Sequence, residues 1–166
     1  MSSLYQNIFV TVGTTLFDEL IHAALDEEVI KFLEGKGCNN YVLQYGRGEE
    51  PTQPSNTSIN ITCFNLKASI SPDIKAASLV ISHAGAGSCL EALDAGKPLI
   101  VVVNQHLMNN HQMELADKLQ AEGHVLTCYP SSLRNTLAEF ETTHLKAFPP
   151  RNTKVFPTFL EKFMRV

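Results

Sequence analysis

Short β-branched runs alternate along this chain with longer segments whose apolar residues recur at helical spacing, the pattern of parallel strands joined by crossover helices. The first run, Ile8 to Val12, ends in a turn at Gly13-Thr14-Thr15. Thr15 and Asp18 stand at capping-box spacing before a helix whose apolar face takes in Leu20, Ile21, Leu25, Val29 and Phe32. Tyr41 to Tyr45 and Ile59 to Phe64 read as the next two strands, with a surface loop over Gly46 to Ser58 between them. Ser71-Pro72-Asp73 starts a short helix through Ala77, with proline at its first position. Leu79 to Ser82 is a buried strand, Ser88 to Ala95 a helix closed by Gly96, and Leu99 to Val103, the most apolar stretch, a strand central in the sheet. Asn110 to Ala121 is a helix stopped near Gly123. Val125 to Cys128 is a last strand, and Ser131 or Ser132 caps a further helix. The expected fold class is α/β, a Rossmann-like parallel sheet with helices on both faces.

A chain of 166 residues, 44% of them hydrophobic, is long enough to bury the core of one such domain and too short for a second of ordinary size. Residues 1–140 are expected to form that domain. Residues 141–166 are expected to form an extended tail, Thr142 to Thr153, and a terminal helix, Val155 to Met164. On that helix Phe156, Phe159, Leu160 and Phe163 make one stripe that packs on the domain or on a partner. The net charge of -4 comes from 13 basic and 17 acidic residues, and the basic ones are scattered, so nucleic acid is not an expected partner. Cys38, Cys63, Cys89 and Cys128 are far apart and include no C-x-x-C pair, which points to thiols in the cytosol. No positive charge precedes Lys31, and Leu99 to Val103 falls far short of the roughly 20 residues that span a bilayer. The expectation is therefore a chain with no signal peptide and no transmembrane segment of its own. The sequons at Asn56 and Asn60 are treated as chance.

The chemistry gathers at His83-Ala84-Gly85-Ala86-Gly87, between a strand and a helix. A glycine-rich turn entering a helix makes an anion site, because backbone N–H groups and the positive end of the helix dipole point at one spot. Gly85 and Gly87 let the backbone approach a diphosphate closely, and Ser88 offers a hydroxyl. Ser88 and Glu91 equally fit an S-x-x-E capping box, in which they satisfy only each other's backbone donors, and spacing alone favours the cap. The fingerprint G-x-G-x-x-G is not met, since Leu90 stands in the place of its third glycine, and there is no G-x-x-x-x-G-K-[ST] run. His106, His111 and Glu114 lack the spacing of a metal site, so none is expected. His22, His124 and His144 read as surface or capping residues, and Asn109 with Gln112 also fits an N-cap pair.

The stretch Ser82 to Ala116, S-H-A-G-A-G-S-C-L-E-A-L-D-A-G-K-P-L-I-V-V-V-N-Q-H-L-M-N-N-H-Q-M-E-L-A, resembles the nucleotide-sugar signature of glycosyltransferases with two facing Rossmann-like domains, the GT-B architecture. With V-T-V-G-T-T at Val10 to Thr15 and L-Q-Y-G-R-G at Leu43 to Gly48, it is similar to the asparagine-linked glycosylation thirteen family, of glycosyltransferase family 28 C-terminal-domain type. The resemblance covers nearly the whole chain and is strongest from Leu79 to Leu119. It implies the donor-binding domain of a two-domain enzyme. It also implies that His83 and Gly85, Ala86, Gly87 and Ser88 contact the donor diphosphate and that Glu91 accepts from ribose hydroxyls. Asn110, His111 and Gln112 fall where related enzymes hold the sugar, and Gly13, Thr14 and Thr15 would line the same cleft. Ala86 replaces a bulkier residue of plant-type relatives, so uracil stacking at that position is not expected.

The resemblance further implies an inverting transfer of N-acetylglucosamine from UDP-N-acetylglucosamine to dolichol-diphosphate-N-acetylglucosamine, the second step of lipid-linked oligosaccharide assembly for protein N-glycosylation. The place is the cytosolic face of the endoplasmic reticulum. No cofactor is expected. The family works with a membrane-anchored acceptor-side subunit of the asparagine-linked glycosylation fourteen type. No residue of this chain stands out as general base, which is expected from that partner. Two alternatives stay open: a non-catalytic UDP-sugar-binding module, and a sugar-nucleotide epimerase-like enzyme.

Overall fold

The structure, a computed structural model, describes residues 4–106 and 110–149. Six strands form one wholly parallel sheet: β1 (Asn7–Thr11), β2 (Asn40–Gln44), β3 (Asn60–Phe64), β4 (Leu79–His83), β5 (Leu99–Val102) and β6 (Leu126–Cys128). Their spatial order is β3-β2-β1-β4-β5-β6. Beyond β1 the order reverses, because the chain returns from β3 to the other side of β1 to lay down β4, with Ile8 facing Leu79 and Thr11 facing Ser82. Parallel neighbours need crossovers, and helices supply them: α1 (Asp18–Ala24), α2 (Glu27–Gly35), α3 (Ser71–Ala76), α4 (Ala86–Asp94), α5 (Asn110–Ala121) and α6 (Leu133–Phe140), the last entered through a 3-10 turn at Pro130–Ser132.

Alternation along the strands divides the core in two, because successive side chains point to opposite faces. Ile8, Val10, Leu43, Leu79, Ile81, Ile100 and Val102 meet the apolar stripes of α1, α2 and α6, including Leu20, Ile21, Leu33, Leu133 and Leu137. Phe9, Val80, Leu99 and Val101 meet α3, α4 and α5 through Ile74, Leu90, Leu93, Leu115 and Leu119. Helices therefore cover both faces, as the alternation predicts. All four residues of β5 are buried, but the middle pair is β1 and β4. Apolarity records cover on both faces rather than a strand's place in the order.

Three local readings need correction. The single helix expected after β1 is two, because Asp26 breaks it: its carboxylate accepts from the Glu28 N–H at 2.9 Å and caps α2. Thr15 does not cap α1. Its hydroxyl donates to the Val12 carbonyl at 2.8 Å, and Phe17 holds the N-cap position with no side-chain bond. His124, expected as a surface or capping residue, is buried: Nδ1 lies 3.1 Å from the Lys146 carbonyl and the ring meets Phe148 edge-on. With the Lys146 N–H donating to Gly123 at 2.8 Å, it ties the segment after α6 back to the domain. The expected terminal helix, Val155 to Met164, lies outside the described residues. All four cysteines are free thiols, and no helix among the described residues is long and apolar enough to cross a membrane.

Candidate functional site: a cleft at the strand reversal

The site forms where β1 and β4 end side by side, at the reversal of strand order where α/β sheets bind ligands. Every residue of β4 is buried, and the chain leaves it at His83 to begin α4 at Ala86. Gly85 is the N-cap, and no side chain caps the helix. The Cys89 N–H bonds back to the Gly85 carbonyl at 3.1 Å, so the N–H groups of Ala86, Gly87 and Ser88 precede the first helical bond and have no acceptor within the helix. Together with the dipole they present about half a positive charge.

That geometry decides between the two readings of Ser88 and Glu91. A capping box would need Ser88 at the N-cap, but the helix starts two residues earlier, so Ser88 is its third residue and Glu91 lies almost a turn further in. Both side chains line a cleft of about 440 Å³ instead. Gly85 and Gly87 complete this wall, and Gly13, Thr14 and Thr15 form the facing one. The Gly13 N–H donates to Thr11 Oγ1 at 2.9 Å, and the Thr11 hydroxyl donates to Gln44 Oε1 at 2.5 Å, so the ends of β1 and β2 hold the turn in place.

His83 sits between the walls. A Cβ on Gly13 would stand 2.8 Å from its Nε2, and one on Gly85 would collide with its Cε1, so the ring lies over both glycines. Gly13 also has φ +62°, a conformation that L side chains rarely adopt. The Ser82 hydroxyl at 2.8 Å and the Cys89 thiol at 3.4 Å both donate to the His83 carbonyl, which fixes the turn from below. Burial pushes the imidazole pKa down from 6.5 to about 4, so the ring is neutral near pH 7 and offers a hydrogen bond rather than a charge. Burial likewise raises the Cys89 thiol to about 12, which leaves it inert.

Of the residues expected at a site, Gly13, Thr14, Thr15, His83, Gly85, Gly87, Ser88 and Glu91 share this cleft. Ala86 does not line it and contributes the first N–H of α4. Gln112 lines a smaller cavity, with Phe17 and Asn104, that shares Thr15 and His83 with the cleft. Asn110 and His111 begin α5, and their side chains lie outside the described part. Sequence reasoning missed Gln44 and the segment Lys67 to Ile70, which also line the cleft. Gln44 had a readable signal: it is a polar residue at the C-terminal end of an apolar strand. Lys67 to Ile70 had none, since only the fold carries the segment after β3 back to β4.

A larger cavity, about 600 Å³, opens at the opposite end of the sheet beside Pro98, His124 and Phe148. It borders the C-terminal end of α4, at Gly96, rather than an uncapped helix start, so size does not identify the site here. Among the described residues no group of three or more His, Cys, Asp or Glu is placed to hold a metal.

Comparison with known proteins agrees with this architecture. The UDP-N-acetylglucosamine transferase subunit ALG13 of Mus musculus is 53% identical over 121 residues, 72% of this chain and 10% of the relative. The Homo sapiens subunit of the same name is 51% identical over 122 residues, 73% of this chain and 11% of that protein. The chain thus spans about a tenth of the length of these two relatives. The Saccharomyces cerevisiae subunit is 31% identical over 188 residues, 92% of this chain and 93% of the relative. Among solved structures, the NMR solution structure of ALG13 superposes with a TM-score of 0.67 at 27% identity, covering 95% of this chain and 94% of that one. Acinetobacter baumannii MurG, 20% identical, has the same fold at a TM-score of 0.61, covering 83% of this chain and 41% of that one. Residues 7–163 match the family described as glycosyltransferase family 28 C-terminal domain, and the chain belongs to that family.

Proposed function

We propose that this chain is the donor-binding, catalytic half of an inverting glycosyltransferase. It moves N-acetylglucosamine from UDP-N-acetylglucosamine to dolichol-diphosphate-N-acetylglucosamine at the cytosolic face of the endoplasmic reticulum. The observation that carries the reading is the uncapped start of α4, whose free N–H groups open into a cleft at the strand reversal. The names of the relatives supply the donor.

In this reading the donor diphosphate rests on the N–H groups of Ala86, Gly87 and Ser88 and on the Ser88 hydroxyl, with neutral His83 giving a further hydrogen bond. Glu91 accepts from the ribose hydroxyls. Gln112, with Asn110 and His111 on the same first turn of α5, holds the sugar. The acceptor hydroxyl attacks the anomeric carbon from the face opposite UDP, the new C–O bond forms as the bond to the diphosphate oxygen breaks, and UDP leaves with that electron pair. The product is a β linkage. Negative charge grows on UDP as it departs, and fixed N–H dipoles stabilise it without reorganising. The hydroxyl's proton goes to a base on the acceptor side, which a membrane-anchored partner subunit supplies. No cofactor enters the scheme.

The test is transfer to a dolichol-diphosphate-N-acetylglucosamine analogue, with and without the partner. A β-linked disaccharide product only when both are present is the expected result. Binding of UDP without transfer in the full complex would make the chain a binding module, and donor consumption without acceptor would point to an epimerase.

A further inference from the structure

The geometry points to Lys67 as the cation that meets the donor diphosphate, held until then by Asp73. This rests on the reading of the cleft as a UDP-sugar site. Lys67 is the one lysine or arginine among the described residues lining the cleft, and Glu91 is the one carboxylate. The diphosphate of a nucleoside-diphosphate sugar brings about two negative charges, and the free diphosphate left after transfer brings more. Against these the cleft sets the partial charge of α4 and a histidine that burial keeps neutral. Glu91 adds to the negative side. Among the described residues, a full positive charge is what the site otherwise lacks.

Lys67 is placed to supply it without being free in the empty cleft. Its Nζ donates to both oxygens of Asp73, at 3.1 and 3.3 Å, and stands 4.0 Å from the centre of the Phe64 ring. Phe64 itself stacks on Phe9 of β1, their planes 8° apart, so the aromatic floor under the ammonium is part of the core. An ammonium has three donors, and the two bonds to Asp73 leave at least one of them for a further acceptor. The lysine end of the pair is accessible, its side chain 44% exposed, while that of Asp73 is 14% exposed. An incoming diphosphate can therefore reach the ammonium from its exposed side and share it with Asp73. Asp73 lies on the first turn of α3 and does not line the cleft. Its part is to hold Lys67 near the site.

Titration calorimetry of the full chain with UDP and with uridine tests the assignment. Lys67→Gln is expected to weaken UDP by about 10- to 100-fold, the range of one charge-assisted hydrogen bond, to leave uridine unchanged, and to flatten the salt dependence of UDP binding. Asp73→Asn removes the competing anion and is expected to tighten UDP. Equal UDP affinity in wild type and Lys67→Gln would overturn the assignment while leaving the cleft intact. So would a parallel loss in both variants, since that is how a simple brace between β3 and α3 behaves. A wild-type chain that binds UDP neither alone nor with its partner would overturn the cleft reading itself, and this inference with it.

Discussion

Gly87 is the second residue of α4, and a Cβ built there meets nothing within 4 Å. Replacement by alanine therefore acts on the fold only through backbone propensity. Alanine is better than glycine inside a helix by about 0.8–1.0 kcal/mol, and near a helix start the gain is a fraction of that. For a chain of this length each kcal/mol moves the melting temperature by roughly 2–4 °C, so Gly87→Ala should melt unchanged or a degree or two higher. The empty space beside Gly87, however, belongs to the cleft. On the proposed reading, a methyl group there stands where a phosphate approaches the N–H groups of Gly87 and Ser88. Losing one such charge-assisted bond costs about 1.5–3 kcal/mol, or about 10- to 100-fold in affinity. Differential scanning calorimetry and UDP titration on the same preparation read both effects. Unchanged UDP affinity would remove this turn from the site, and a large drop in melting temperature would refute the claim that the position is sterically open.

Other substitutions separate packing from binding in different ways. Glu91→Gln should leave stability within about 0.5 kcal/mol, since Glu91 caps nothing, and should weaken UDP; tighter UDP binding would mean that the carboxylate merely repels phosphate and holds no ribose. Gly85→Ala keeps an ordinary backbone, φ -86°, but drives a Cβ into the buried His83 ring, so overpacking should cost about 1–3 kcal/mol in chemical denaturation. Adding His83→Ala should recover much of that loss, and strict additivity would refute the contact. His83 also gives a pH signature. The unfolded chain binds a proton between pH 6.5 and about 4 where the folded chain does not, so this contribution is complete above 6.5 and lost as pH falls through that window. The loss amounts to about 3 kcal/mol, read as wild type minus His83→Asn across a pH series. A difference that does not change with pH would show the imidazole to be solvated.

What the sequence by itself determined about this protein is what neighbouring residues encode. Periodicity located the six strands to within a residue or so at their ends, proline at Pro72 and glycine at Gly96 marked a helix start and a helix end, and the glycine run after β4 marked the turn into α4. Eight of the residues expected around a ligand share one cleft because they belong to two stretches, the turn after β1 and the passage from β4 into α4, that are each legible alone. Only the tertiary structure decided that those loops face each other, since strand order follows from long-range pairing that no local pattern records. It likewise decided that Ser88 and Glu91 do not cap α4: spacing permits the box, and the start of the helix at Ala86, set by how the chain leaves β4, forbids it. Asp26 broke an apolar stripe that ran on unbroken in sequence, because one satisfied cap outweighs a turn of weak helix. Lys67 and Gln44 entered the site by the same long-range route. Gln44 belongs to β2 and Lys67 to the segment after β3, which reach the cleft only because β3 and β2 lie beside β1 on one side of the reversal.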